Sequence, residues 1–380
     1  MTTSKERVLM ALNHETPDRT PVDLGGRQTT LSIVAYRALL KHLGYEDLPV
    51  NVMSNVWQTV FVDERILERF AVDCRHIRPA SKGTENSEKS DETLAEANVF
   101  TDQWGIKRQI DGDYANIIHH PLSQATLEDL DSFNWPDPSD DYDYTQLKKQ
   151  ALALHSDNQF ALVGCMGSPG NIFEQSWYLR DFQNFLMDLA ADKDFAHALM
   201  RRILDIRKKN ADLFLKEVGE YIDVFQLADD LAMQNASLMS PQMYKEMIKP
   251  YLTELIDHVK QLTGAKIYYH SCGSVVGLLD DLVDAGVEIL NPVQVTATGM
   301  ESDQLKKRFG DRLSFWGAID TFKVLPSGTP ADVEKEVRTR INDLSVNGGY
   351  VMGPVHNIQS DVPAENIIAM YEAAQKQGYN

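Results

Sequence analysis

The feature that most constrains the fold of this chain is a repeated alternation of short apolar runs with amphipathic stretches of helical length. Each apolar run ends in polar residues, and most are followed by a helical pattern. In chain order the candidate strands are Thr20–Leu24, Val72–Ile77, Phe160–Cys165, Ile222–Ala228, Lys266–His270, Val287–Leu290, Leu313–Trp316 and Tyr350–Met352. Because such alternation gives parallel strands joined by helices, the sequence predicts an α/β protein, a (β/α)8 TIM barrel.

Two segments are expected to form additional structure outside the strands and helices of this barrel. Thr3–Leu12 has helical spacing behind a Ser/Thr start and predicts an N-terminal helix packed outside the main body. Arg78–Asp143 is polar and irregular, and we interpret it as an inserted region with a small hairpin. The helices predicted between the later strands are Arg180–Val218, long enough to be two, Pro241–Leu262, Val275–Ala285, Ala331–Val346 and Pro363–Gln377. Residues 1–380 are therefore expected to form a single domain.

Charge and composition narrow the possible partners. The 380-residue chain has a formal net charge of -19, which disfavours nucleic acid and anionic membrane surfaces, although one pocket can differ in sign from the whole. No secretory or membrane-spanning segment is recognisable, so we expect a cytoplasmic protein. The three cysteines, Cys74, Cys165 and Cys272, do not form an even framework, and a disulfide scaffold is a poor interpretation.

The sharpest chemical feature is the pair His270 and Cys272 at the end of a predicted strand. Residues two apart on an extended chain point to the same face, so the imidazole and the thiolate can meet one cation, and Gly273 then lets the chain turn. A mixed nitrogen and sulfur set suits zinc best. For either residue alone, a buried thiol or a hydrogen-bonded core histidine is the more common outcome.

Zinc needs a third protein ligand, and His356, at the end of the last predicted strand, is the first choice. Asp229 and Asp230 follow another strand and are the alternatives, as carboxylate ligands or as catalytic acid–base residues. An adjacent acid pair in a solvated loop would be an equally ordinary explanation.

Other side chains near strand ends are candidates for contacting a small-molecule substrate, though each could instead serve in ordinary packing. They are Arg27, Trp57, Met166, Asn171, Trp177 and the glutamine Gln226, next to Leu227. Glycine-rich phosphate-binding signatures are absent, which disfavours nucleotide binding.

The order of these elements and several segments together resemble the uroporphyrinogen decarboxylase superfamily over nearly the whole chain. The segments are Thr3–Asp23, His270–Gly273, Phe315–Asp320 and Gly353–Ala373. The H-x-C pair is similar to that of the cobamide-dependent methyltransferase branch. That resemblance implies zinc held by the two residues of H-x-C and by a further cysteine, whose place His356 occupies here. It also implies a corrinoid protein as partner and, in some members, a homodimer.

The resemblance implies transfer of a methyl group between a small molecule and the cobalt of that corrinoid protein. The small molecule would be a methyl ether or other methoxylated compound, giving O-demethylation, or a thiol acceptor. Decarboxylation of a carboxylated substrate is the alternative, but the decarboxylases' paired arginines are reduced to Arg27, their aspartate after the second strand is missing, and Trp177 stands where their tyrosine is expected. A barrel that binds a small ligand or a corrinoid protein without catalysis is a third possibility.

Overall fold

A computed structural model of the chain describes residues 2–82, 99–112, 114–156, 158–167 and 172–376. Its strands, in chain order, are β1 (Asn51–Ser54), β2 (Thr59–Phe61), β3 (Cys74–Ile77), β4 (Ala80–Ser81), β5 (Val99–Thr101), β6 (Lys107–Asp111), β7 (Tyr114–His119), β8 (Tyr142–Asp143), β9 (Ala161–Cys165), β10 (Val224–Ala228), β11 (Lys266–His270), β12 (Ile289–Asn291), β13 (Ser314–Ile319) and β14 (Tyr350–Pro354).

Seven of these strands form one parallel sheet in the order β14-β13-β12-β11-β10-β9-β3. The segment predicted as the first strand lies between the two edges of this sheet. Val22 forms a parallel bridge with Met352, and its carbonyl accepts a hydrogen bond from the Asp73 amide at 2.8 Å. Pro21 has no amide hydrogen, which limits the pairing to this short contact. The predicted (β/α)8 barrel is thus confirmed, with its eighth position reduced to a bridge.

The helices of the described residues run between and around these strands. They are α1 (Ser4–Leu12), α2 (Ile33–Leu43), α3 (Glu64–Arg69), α4 (Asp129–Ser132), α5 (Pro138–Asp141), α6 (Leu147–Ser156), α7 (Phe173–Arg180), α8 (Phe182–Ala191), α9 (Lys193–Val218), α10 (Pro241–Met243), α11 (Lys249–Leu262), α12 (Leu279–Asp284), α13 (Ser302–Phe309), α14 (Val324–Ser327), α15 (Pro330–Leu344) and α16 (Ala364–Lys376). None of them is long and apolar enough to cross a bilayer.

Two predicted helices are divided in the structure. The stretch ending at Val218 contains α8 and α9, separated at Asp192, whose side chain caps α9. The stretch predicted from Pro241 changes to a π-helix over Tyr244–Ile248 before α11 begins. Pro250, the second residue of α11, cannot donate the backbone hydrogen bond that a continuous α-helix requires, which accounts for the wider turn.

Helix α1 closes the bottom of the barrel, so its predicted position outside the main body is wrong. Val8 and Leu12 are buried and pack with inward-facing barrel residues such as Val224 and Trp316. The helix is fixed at its start by a capping box between Thr3 and Glu6. With this end filled, the opposite end, where the strands terminate, is the one left for a site.

The inserted region is more elaborate than the predicted hairpin. Strands β5, β6 and β7 form a three-stranded antiparallel sheet, and β4 pairs with β8. A separate hairpin, β1 with β2, precedes β3 and carries Trp57 in its turn. Trp57 contacts Tyr114 of β7 edge to face, with ring centroids 5.9 Å apart. The two additions therefore meet beside the barrel mouth.

Candidate metal centre

His270 is the last residue of β11 and is 4% exposed at the mouth of the barrel. Its Nδ1 lies 2.5 Å from Oδ1 of Asn291, the last residue of the neighbouring strand β12. The Asn291 amide nitrogen donates to the Trp316 carbonyl at 3.0 Å, so the amide oxygen must face His270 as an acceptor. Nδ1 is consequently the protonated nitrogen, and the lone pair of Nε2 points toward the site.

Cys272 follows two residues later, with its Sγ 3.5 Å from His270 Nε2. Its backbone amide donates to Asp230 Oδ1 at 2.8 Å, which fixes the chain beyond the strand. Gly273 then turns with φ +88°, and a Cβ at this position would lie 2.7 Å from the Met233 carbonyl oxygen. Only glycine fits this turn without strain.

His356 comes from the loop after β14, on the other side of the mouth. Its ring centroid is 5.8 Å from that of His270 and 6.4 Å from that of Trp57. The donor atoms of His270, Cys272 and His356 all lie within 4.8 Å of one another. The structure therefore brings the three predicted ligands together.

The two predicted aspartates have different positions. Asp229 is buried, and its carboxylate accepts the backbone amides of Ile172, Phe173 and Glu174 at 2.7–3.1 Å. These are the free amides at the start of α7, so Asp229 serves as a helix cap. Asp230 lies at the site instead, with Oδ1 4.0 Å from His270 Nε2 and a side chain that is 42% exposed.

Glu174 and Tyr178 are site residues that the sequence analysis missed. Both are buried on the inner face of α7, and the Tyr178 hydroxyl donates to Glu174 Oε1 at 2.8 Å. Both line a cavity that is also lined by His270 and His356. The available signal was a glutamate four residues before a tyrosine, a spacing that places both side chains on one face of the helix that follows strand β9.

The interior of this cavity has about 40 Å³ of free space, room for a few water molecules. It is lined by Arg27, Gln28, Trp57, Glu174, Tyr178, Ala228, Asp230, His270, His356 and Asn357. Two of the predicted substrate contacts, Arg27 and Trp57, are among them.

The other predicted contacts lie elsewhere. Trp177 packs on Tyr178 and Phe182, and Met166 belongs to the main hydrophobic core, as does Leu227. Gln226 donates to the Gln28 side chain and lines a second cavity. Asn171 lies outside the described residues. Trp177, Met166 and Leu227 are thus explained by packing.

Comparison with known proteins identifies the relatives of this barrel. The sequence profile of the family described as uroporphyrinogen decarboxylase (URO-D) matches residues 102–377. The chain belongs to the uroporphyrinogen decarboxylase family.

Within this family the chain is similar to members with different names. The uroporphyrinogen decarboxylase of Coxiella burnetii is 23% identical over 97% of this chain and 94% of its own length. The methylcobamide:CoM methyltransferase MtaA of Methanosarcina barkeri is 30% identical over 46% of this chain and 48% of its own length. A solved structure described as a methyltransferase from Methanosarcina mazei superposes with a TM-score of 0.68 at 18% identity, covering 99% of both chains. That superposition supports the shared fold.

The electrostatics of this family member favour neutral side chains at the metal-ligand positions. Burial lowers the pKa of His270 to about 4, and burial together with the nearby His270 lowers the pKa of His356 to about 4. Burial also raises the pKa of the Cys272 thiol, and Asp230 and Glu174 raise it further. Both imidazoles therefore keep free lone pairs at neutral pH, while a thiolate requires a compensating cation.

Proposed function

We propose that this protein is a zinc-dependent methyltransferase that moves a methyl group between a small molecule and the cobalt of a corrinoid protein. The observation that carries the proposal is the meeting of His270, Cys272 and His356 at the barrel mouth. Two nitrogens and one sulfur leave the fourth position of a tetrahedral zinc ion open, as in catalytic sites. The 30% identity to part of a methylcobamide:CoM methyltransferase supports it.

The donor atoms fit zinc in type and spacing. Zinc–ligand distances of about 2.0–2.3 Å put neighbouring tetrahedral nitrogen and sulfur donors roughly 3.5 Å apart. His270 Nε2 and Cys272 Sγ are 3.5 Å apart. The third donor, on His356, is within 4.8 Å of both, and a shift of about 1 Å would complete the set. When bound there, zinc lowers the pKa of a thiol acceptor or polarises the oxygen of a methyl ether donor.

The protein contributes a proton-holding group beside these ligands. Burial raises the pKa of Glu174 well above its usual value, and the carboxylates of Asp230 and Asp229 raise it further. Glu174 therefore holds a proton more readily than an exposed glutamate does, and the Tyr178 hydroxyl donates to its Oε1. When a methyl ether loses its methyl group, the oxygen left behind must gain a proton, so Glu174 suits a reaction in which the small molecule is the methyl donor. Asp230 is the carboxylate nearer to His270.

The test begins with the zinc content of the purified chain. About one zinc per chain is expected, and the loaded protein should demethylate a methyl ether with free cob(I)alamin as acceptor, or methylate a thiol with methylcobalamin as donor. Both reactions are followed by the absorbance change of the corrinoid. Stoichiometric zinc without either reaction across a panel of ethers and thiols would contradict the proposal.

Decarboxylation is the second candidate because several relatives are named uroporphyrinogen decarboxylase and match nearly the whole chain. Arg27 lines the same cavity as His270 and His356, and in a decarboxylase it is the residue expected to face a substrate carboxylate. Release of carbon dioxide from a porphyrinogen, undiminished after zinc is removed by chelation, would favour this candidate over methyl transfer.

A further inference from the structure

Three neighbouring loops at the barrel mouth contain no charged side chain. They follow β10, β11 and β12, and their residues 231–240, 271–278 and 292–300 include no Asp, Glu, Lys, Arg or His. The chain as a whole is 24% charged and has a formal net charge of -19. Charged side chains are depleted at the centre of binding interfaces, because burying them costs desolvation energy. These loops therefore have the composition of a surface that contacts a neutral partner.

Hydrogen bonds between uncharged groups hold two of these loops together. The Gln294 amide nitrogen donates to Gln234 Oε1 at 3.0 Å, and the Thr298 hydroxyl donates to Asn235 Oδ1 at 3.3 Å. The Thr298 backbone amide also donates to the Gln234 carbonyl at 3.0 Å. We call Met233, Gln234, Asn235, Gln294 and Thr298 the neutral platform. Its shape is fixed before any partner binds, which reduces the entropy lost on binding.

The neutral platform is joined to the turn that follows Cys272. The Gly273 amide donates to Gln294 Oε1 at 2.7 Å. The Ser274 amide donates to the Met233 carbonyl at 2.8 Å. The platform therefore borders the candidate metal centre directly, on the side of His270 and Cys272.

Two groups of the neutral platform are open to a partner. Met233 is apolar but 66% exposed, and its polarisable thioether can adapt to an irregular apolar surface. Asn235 is also exposed, and no described residue accepts a hydrogen bond from its amide nitrogen. A primary amide both donates and accepts, so it can pair with another amide without ionic charge. The platform thus suits a neutral ligand that combines apolar surface with amide groups.

We infer that the neutral platform contacts the edge of the corrinoid ring that the partner protein presents. A corrinoid has an apolar, methyl-bearing ring whose periphery carries primary amide side chains, which match Met233 and Asn235. The identity of this ligand rests on the proposed function. The corrinoid would then approach the metal centre over the loops after β10 and β12, while His356 and its neighbour Trp57 lie on the other side of the mouth.

The first experiment compares two free corrinoids by equilibrium dialysis against the full-length, zinc-free chain. Dicyanocobinamide carries the amide side chains, whereas dicyanocobyrinic acid carries carboxylates in their place. A salt concentration of about 0.5 M screens the net negative charge of the protein. Dicyanocobinamide should bind at least tenfold more tightly than dicyanocobyrinic acid. Equal affinities, or no measurable binding of dicyanocobinamide, would overturn the inference.

The second experiment changes the platform. Met233→Glu places a carboxylate on it and should weaken dicyanocobinamide at least tenfold. Met187→Glu is the matched control, because Met187 is 58% exposed on α8, outside the platform, and should leave the affinity unchanged. Asn235→Asp has nearly the same shape but loses the free amide donor, and it should weaken binding about fivefold. Unchanged affinity in both platform variants would overturn the inference.

A second copy of this chain is the other partner that these variants can reveal. If the parent sediments as a dimer, Met233→Glu sediments as a monomer and both bind dicyanocobinamide equally, the platform is a dimer interface and the inference fails. The proposed function is tested separately, because dialysis requires neither zinc nor methyl transfer. Corrinoid binding that depends on Met233 in a chain that never retains zinc would contradict the proposed function alone. Methyl transfer by the parent, with undiminished corrinoid binding in both platform variants, would contradict this inference alone.

Discussion

The two sides of the candidate metal centre are held very differently. His270 and Cys272 belong to β11 and the turn after it, and each is fixed by a neighbour, Asn291 for the imidazole and Asp230 for the backbone of Cys272. His356 lies in a loop, and among the described residues no group forms a hydrogen bond with its ring. Its neighbours are the rings of Trp57 and His270. One side is preorganised and the other is adjustable.

This difference predicts that the two sides contribute differently to zinc binding. The strand-held pair already has the spacing of two zinc ligands, so binding through it requires little reorganisation. The backbone on either side of His356 is held, because the Val355 amide donates to the Ile319 carbonyl at 2.9 Å and Asn357 accepts from the Thr30 amide at 3.0 Å. The His356 ring has no such hydrogen bond among the described residues, so it can approach or withdraw by side-chain rotation. The affinity for zinc should therefore depend most on the strand-held pair, His270 and Cys272.

Cys272→Ser should have the largest effect. A neutral hydroxyl replaces the site's anionic ligand, and zinc affinity should fall roughly a thousandfold, to below one zinc per chain after dialysis. Elemental analysis of the dialysed protein measures this. Cys165→Ser, which alters a buried thiol of β9, is the control and should retain its zinc. Full zinc content in Cys272→Ser would show that the Cys272 thiolate is not a zinc ligand.

His356→Ala should lower zinc affinity less, by roughly a hundredfold, because the strand-held pair remains. His356→Cys, which restores the thiolate that the resemblance implies at this position, should bind zinc more tightly than the parent chain. Competition with a chromogenic chelator gives both values, and His42→Ala is the surface control. An unchanged affinity in His356→Ala would point to Asp230 as the third ligand.

The dependence of zinc affinity on pH should come almost entirely from the strand-held thiol. With pKa values of about 4, His270 and His356 are already neutral above about pH 5, whereas the Cys272 thiol, with its raised pKa, must lose a proton when zinc binds. Affinity should therefore fall about tenfold for each pH unit between pH 8 and pH 6. Chelator competition at several pH values tests this, and a markedly steeper slope would mean that the histidines also release protons.

The sequence predicted the strand-held side better than its surroundings, for a physical reason. The spacing of His270 and Cys272 on one strand is local, and the alternation of strands places every strand end at one mouth, including the loop that carries His356. The contact between His270 and Asn291 depends on the register of β11 against β12, which no local pattern specifies. Adjacent aspartates look alike in sequence, yet only the fold shows that Asp229 caps α7.

Local sequence patterns also predict the strands of the fold better than its tertiary contacts. The seven strands of the sheet were predictable from apolar runs, whereas Pro21 reduced the first to a bridge, and the inward packing of α1 depends on where the barrel bottom lies. Glu174 was missed because helix α7 reads as an ordinary buried helix. Its importance comes from its position near Asp230, which follows the neighbouring strand β10, a tertiary relation.

The smallest expected effect tests whether preorganisation, separate from ligation, contributes to the strand-held side. Asn291→Ala leaves all three ligands but frees the His270 ring, and zinc affinity should fall about tenfold, near the lower limit for second-sphere partners. Asn366→Ala is the matched control, because Asn366 is equally buried and donates to two backbone carbonyls, of Leu325 and Gly328, near α14. Both variants should lose similar thermal stability, but only Asn291→Ala should lose zinc affinity. If both lost zinc affinity equally, the effect would belong to general destabilisation, and the contrast between a preorganised and an adjustable side would fail.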